Sequence, residues 1–205
     1  MEKEVQLAKV AQALNTLAAR AYDVGRYFVT IDQVDNCRSR NYQRNFNRFY
    51  RVRRGVEWQS VYYEILLREY GNKPSFAQII TEMYERTGNV EPSFSSKLVA
   101  TLDTDKPVWD KYVLMNLGKT LTGTKKEVRL NNAIALYRDI EEWYNTFLST
   151  KEAKQWISLF DEKLTDFVWL SPTKKNRPHS LEYEGKLGYR HNYEYVRKAI
   201  SQNVP

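Results

Sequence analysis

Apolar side chains recur along this chain at intervals of three and four, the signature of helices with one buried face. In the first segment Val10, Leu14, Leu17, Ala18 and Ala21 form such a stripe, and Gly25 marks its end. A second helix is predicted over about 57–70, with Trp58, Val61, Tyr62 and Ile65 on one face and Gly71 and Pro74 as stops. Ser75 reads as the N-cap of a third, in which Phe76, Ile79, Ile80 and Met83 repeat at i, i+3, i+4, i+7 until Gly88. A tight connection, "NVEP", leads to a fourth helix from about Phe94, which Ser93 could cap, with Phe94, Leu98 and Leu102 facing inward. Pro107 ends the polar turn "DTDKP", and "WDKYVLMNLG" supplies a short helix closed by Gly118. The longest helix is expected over about 127–148, with Ala133, Leu136, Ile140, Trp143 and Phe147 inward. A shorter one follows near 151–164, using Ala153, Trp156 and Phe160.

Beyond this the pattern weakens. "TDFVWL" is ambiguous between strand and helix, "SPTKKNRPHS" reads as loop, and a helix is expected near 192–202. There is no internal repeat and no dividing linker. The expectation is one all-α domain over residues 1–205, with a loop-rich segment from about 171 to 205.

Composition narrows the function classes. Aromatics make up 14% of the 205 residues, which excludes disorder over most of the chain. The only cysteine, Cys37, allows no intrachain disulfide, and with two histidines it makes a zinc site implausible; no metal or other cofactor is expected. No run is apolar enough to span a membrane, and the N-terminal segment is too charged for a signal peptide, so a cytoplasmic location away from membranes is expected. Phosphate-loop, dinucleotide, zinc-protease and serine-hydrolase motifs are absent. His179 and His191 offer no triad by spacing.

The net charge of +7 favours an anionic partner. Much of it sits in "CRSRNYQRNFNRFYRVRR", where Arg38, Arg40, Arg44, Arg48, Arg51, Arg53 and Arg54 follow one another with no acid between them. On a helix Arg44, Arg48 and Arg51 share a face that could track phosphates, and the interleaved Tyr42, Phe46, Phe49 and Tyr50 could stack on bases. The opposing expectation is that these rings are core and the arginines pair with acids elsewhere in the chain.

Two further residues carry candidate chemistry. Lys97 falls near the start of its predicted helix, where the dipole disfavours its charged form and readies it as an amine nucleophile. Asp110 opens the next helix, where a fixed carboxylate could stabilise a cationic sugar. Each also has a plain structural reading, as a solvated lysine and a helix cap.

The stretch "TGNVEPSFSSKLVATLDTDKPVWDKYV" resembles the centre of the helix-hairpin-helix DNA glycosylases, above all the 8-oxoguanine glycosylase branch. The resemblant segment covers about 76–118. It places Lys97 at the Schiff-base lysine, "PVWD" at the catalytic aspartate with Asp110, and Gly88 and Asn89 in the DNA-holding hairpin. The resemblance implies a glycosylase with β-lyase activity acting on damaged bases of DNA. A non-catalytic nucleic-acid-binding protein of the same fold, or a helical protein-interaction module, are the alternatives.

Overall fold

The structure, a computed structural model, describes residues 33–164 together with residue 8, residues 10–15 and residues 30–31. Among these residues it is all helical. A single 3-10 turn, Val34–Asn36, precedes α1 (Arg40–Tyr50), α2 (Val56–Arg68), α3 (Phe76–Thr87), α4 (Pro92–Leu102), α5 (Lys111–Leu117), α6 (Lys126–Leu148) and α7 (Lys151–Leu164). Leu17, Ala18, Ala21, Gly25, both histidines and everything expected beyond 164 lie outside the described residues.

Helix α3 is the hub, packing against α2, α4 and α6. Its sequence explains why. Ser75 closes a capping box with Gln78: the Ser75 hydroxyl accepts from Gln78 N, while Gln78 Oε1 accepts from Ser75 N at 2.8 Å. Phe76, Ile79, Ile80 and Met83 are all buried, each contributing roughly 1.5–3 kcal/mol by leaving water. Gly88 then takes a left-handed φ of 69°, which ends the helix at low steric cost.

Two sequence expectations shift. Helix α4 starts at Pro92, not near Phe94, so Ser93 lies inside the first turn and the cap position belongs to Glu91. Proline suits a first helical position because its φ is preset and its missing N–H has no partner to lose. In α6 the deepest stripe is Ala133, Tyr137, Ile140 and Tyr144. Leu136, Trp143 and Phe147 lie at its margin, partly buried. Tyr137 can be fully buried because its hydroxyl donates to Pro107 O at 2.8 Å, and its ring stacks on Phe76 at 3.9 Å.

Two arginines lock α2 to α3. Arg68 donates to both carboxylate oxygens of Glu82, at 2.7 and 2.6 Å, and also reaches Glu69. Arg86 pairs with Glu64 at 2.7 Å and with Glu82 at 3.4 Å. Hydrogen bonds from Arg68, then the opposing burial and the nearby positive charges, leave the Glu82 carboxyl below its ordinary range.

Candidate nucleic-acid interface

Ser39 caps α1, accepting from Tyr42 N at 3.1 Å, and the helix presents two contrasting faces. Tyr42 and Phe46 are buried, Phe46 fully, and its ring meets those of Tyr50, Tyr62 and Tyr63 within 6 Å. Burial, foremost, raises the phenols of Tyr42, Tyr50, Tyr62 and Tyr63 above their ordinary value. These rings therefore belong to the core, and Tyr42 and Phe46 offer no stacking surface to a base.

The arginines behave oppositely. Arg38, Arg40, Arg44, Arg48, Arg51, Arg53 and Arg54 are all exposed. Among the described residues only Arg54 finds an acid, Glu91, at 2.7 Å. The expected pairing of the other six with acids does not occur there. Arg51 closes the helix with a left-handed φ of 54°, a conformation that glycine adopts far more readily.

Between α1 and α2 runs a groove of about 840 Å³. Arg38, Arg40 and Arg44 form one wall, and Gln59, Tyr63 and Glu64 are on the other side. Its floor is a satisfied network. Asn47 donates to Gln59 Oε1 at 2.8 Å, Tyr63 donates to Asn47 Oδ1 at 2.7 Å, and Gln43 donates to Cys37 O at 2.9 Å. Cys37 is buried, and burial raises its thiol, so it is held as an unreactive thiol beneath this wall.

The arginine segment ends at the α3–α4 turn. The Arg54–Glu91 pair joins them, and the Arg54 guanidinium also lies 5.6 Å from the Phe94 ring centre and 5.9 Å from that of Trp58. The turn itself is largely closed on its own atoms. Gly88 N–H donates to Tyr84 O at 2.8 Å, the Asn89 side chain donates to Thr87 O, and Lys126 Nζ donates to Gly88 O. Gly88 and Asn89 are both exposed.

Lys97 is the sixth residue of α4, two residues deeper than its expected place and so in the second turn. The dipole's influence fades within the first turn, so that argument for an activated amine no longer applies. Its ammonium instead lies over aromatic faces, 4.9 Å from the Phe94 centre and 5.6 Å from that of Tyr50. Phe94 thus carries two cations, Lys97 and Arg54, and Tyr50 belongs to the arginine helix. Lys97 therefore stands on the side of the molecule where the arginine segment ends.

Asp110 is the N-cap of α5. Its Oδ1 accepts from Tyr112 N at 2.8 Å and Val113 N at 3.0 Å. Its Oδ2 accepts no hydrogen bond among the described residues. The loop before it is pinned to α4 by Ser96, the neighbour of Lys97, whose hydroxyl accepts from Trp109 N at 2.9 Å and is buried. That bond brings the backbone preceding Asp110 onto the helix bearing Lys97. Ser96 carries no signal in the sequence, where one serine of "SFSS" looks like another. Neither Lys97 nor Asp110 lines the α1–α2 groove or the second described cavity, which lies along α3 around Arg68 and Glu82. Among the described residues no cluster of histidine, cysteine or carboxylate side chains could hold a metal, and no helix is long and apolar enough to cross a membrane. Comparison of the chain with known protein families, with curated proteins and with solved structures finds no match.

Proposed function

We propose that this chain is a nucleic-acid-binding protein that holds phosphates with the arginines of residues 38–54. The observation that carries the reading is their condition: all seven are exposed, and six have no acidic partner among the described residues. A protein gains nothing in folding from six like charges crowded on and around one short helix. An anionic backbone supplies the missing partners and releases its counterions on binding. Anisotropy titration of a labelled oligonucleotide at several salt concentrations tests this. Binding should weaken steeply with salt, by about 0.9 log units per log unit of salt for each arginine–phosphate contact on a duplex. Absence of binding at low salt, or binding indifferent to salt, overturns it.

A second reading keeps the helix-hairpin-helix glycosylase resemblance and adds base-excision chemistry at Lys97 and Asp110. The Ser96–Trp109 bond favours it, because it draws the Asp110 loop onto the Lys97 helix. On this reading Asp110, anchored through one oxygen, presents the other to a developing sugar cation. Lys97 leaves its rings, its ammonium gives a proton to the departing base, and the neutral amine forms the bond to C1′ as the C1′–base bond breaks. Borohydride treatment with duplexes bearing abasic sites or oxidised guanine should then trap a covalent adduct that disappears in Lys97→Gln. Salt-sensitive binding without an adduct leaves the chain a binding protein only.

A further inference from the structure

The exposed face of α1 holds more than arginines. At 100° per residue, Arg40, Arg44, Arg48, Asn41 and Asn45 occupy one arc of the helix, and every one of them is exposed. The pattern is Arg-Asn repeated four residues apart, "RNYQRN", so Arg40 and Arg44 stack one turn apart, and so do Asn41 and Asn45. The helix's other amides, Gln43 and Asn47, are committed to Cys37 O and Gln59. Asn41 and Asn45 make no side-chain hydrogen bond with any described residue, and Arg40, Arg44 and Arg48 have no acid there.

Arginine, through two parallel donors, matches the O6/N7 edge of guanine, and asparagine, through one donor and one acceptor, matches the N6/N7 edge of adenine. The dimensions agree as well. An α-helix with its side chains is about 10–12 Å across, and the major groove of B-form DNA is ~12 Å wide. A helix laid in that groove leaves Arg38, Arg51 and Arg53, exposed at its two ends, within reach of the flanking phosphates. The deep, narrow major groove of an RNA duplex admits no such helix, and a single strand has no facing walls. Of the rings on this helix Tyr42 and Phe46 are buried, and Phe49, half-buried, packs edge-on against Tyr50 at 4.7 Å, which leaves little stacking surface of the kind on which single strands are held.

Resting on the nucleic-acid reading above, we infer that α1 is a major-groove reading helix for duplex DNA. Asn41, Asn45 and Arg44 face base edges, while Arg38, Arg51 and Arg53 take phosphates on the two walls. Glu64 across the groove is neutralised by Arg86. Asp35 lies ahead of the helix, accepting from Asn36, and Glu57 stands at the start of α2.

The test is selection of bound sequences from a duplex library with a randomised core, using the full chain. The enriched site is then measured as duplex, as separated strands and with single base-pair changes. Wild type should enrich a short site containing adenine and guanine, lose about tenfold or more per wrong base pair, and prefer the duplex to either strand. The double variant N41A/N45A should flatten the preference while keeping the salt slope. Arg51→Gln should weaken every sequence alike and reduce the slope by about one. An unchanged thermal melt shows that the variants are folded. If DNA binds with no enriched sequence, or the strands bind as tightly as the duplex, the reading helix is overturned while the nucleic-acid function stands. If no DNA binds at low salt the reading helix falls, and if RNA does not bind either the nucleic-acid function falls with it.

Discussion

Two sets of arginines in this molecule do opposite work. Arg68 and Arg86 lie at the seam of α2 and α3, each holding carboxylates at 2.6–2.7 Å. Arg38 to Arg53, on and beside α1, find no acid among the described residues. Both sets are surface arginines on helices or their ends. What separates them is whether a carboxylate stands one helix away. The α3 sequence places Glu82 opposite Arg68, whereas the α1–α2 groove has amides on its floor and Glu64 turned to Arg86. Charge satisfied internally belongs to the fold. Charge left over is available to a partner, and Arg51 sharpens the point because glycine suits its left-handed backbone better.

That contrast can be broken by substitution. The largest effect is expected in R40Q/R44Q/R48Q: duplex affinity near 0.1 M salt should fall on the order of a hundredfold or more, while thermal stability moves by less than about 0.5 kcal/mol. A large loss of stability would show that these arginines serve the fold. Next come the adjacent serines of α4, both fully buried. Ser96→Ala strands the buried Trp109 N–H and should destabilise by about 1–3 kcal/mol in urea unfolding. Ser95→Ala removes a hydroxyl with no partner among the described residues and should be near neutral or stabilising. Arg68→Gln is smaller, about 0.5–1 kcal/mol, because the arginine is half-exposed, and it should leave nucleic-acid affinity unchanged. Arg51→Gly inverts the pattern, stabilising by up to about 1 kcal/mol while weakening binding.

The smallest effect is a pH dependence. The folded Glu82 carboxyl lies below its ordinary value, chiefly through hydrogen bonds from Arg68. Its contribution is therefore complete above the unfolded value, about 4.3, and is lost as pH falls through the folded value. Stability measured from pH 6 down to 3 should decline less steeply in Glu82→Gln than in wild type. Equal slopes would show that the Arg68–Glu82 lock contributes nothing in solution.

The helices were legible because their apolar spacing and capping chemistry are local. Ser75, Gly88, Asp110 and Gly118 each act on backbone within four residues of themselves. The register of α6 was less legible. Tyr137 and Tyr144 look amphipathic in sequence, and only a distant acceptor, Pro107 O, shows how a tyrosine can be fully buried at position 137. Asp110 was visible as a cap. The start of α4 at Pro92, and hence the depth of Lys97, was obscured by a serine that resembles a cap. The arginine cluster was obvious as charge, but its meaning depended on pairings up to 37 residues apart, as between Arg54 and Glu91. Asn41 and Asn45 carried no signal until burial of the opposite face showed that they and the arginines share the exposed one.

The arginines around α1 are proposed to hold phosphates. The most direct measurement is the salt dependence of duplex affinity for wild type and R40Q/R44Q/R48Q side by side. The wild-type slope should be steep, and shallower by about 2 to 3 in the variant if those three arginines engage phosphates, by less where Arg44 faces a base. Equal slopes for the two proteins would contradict it.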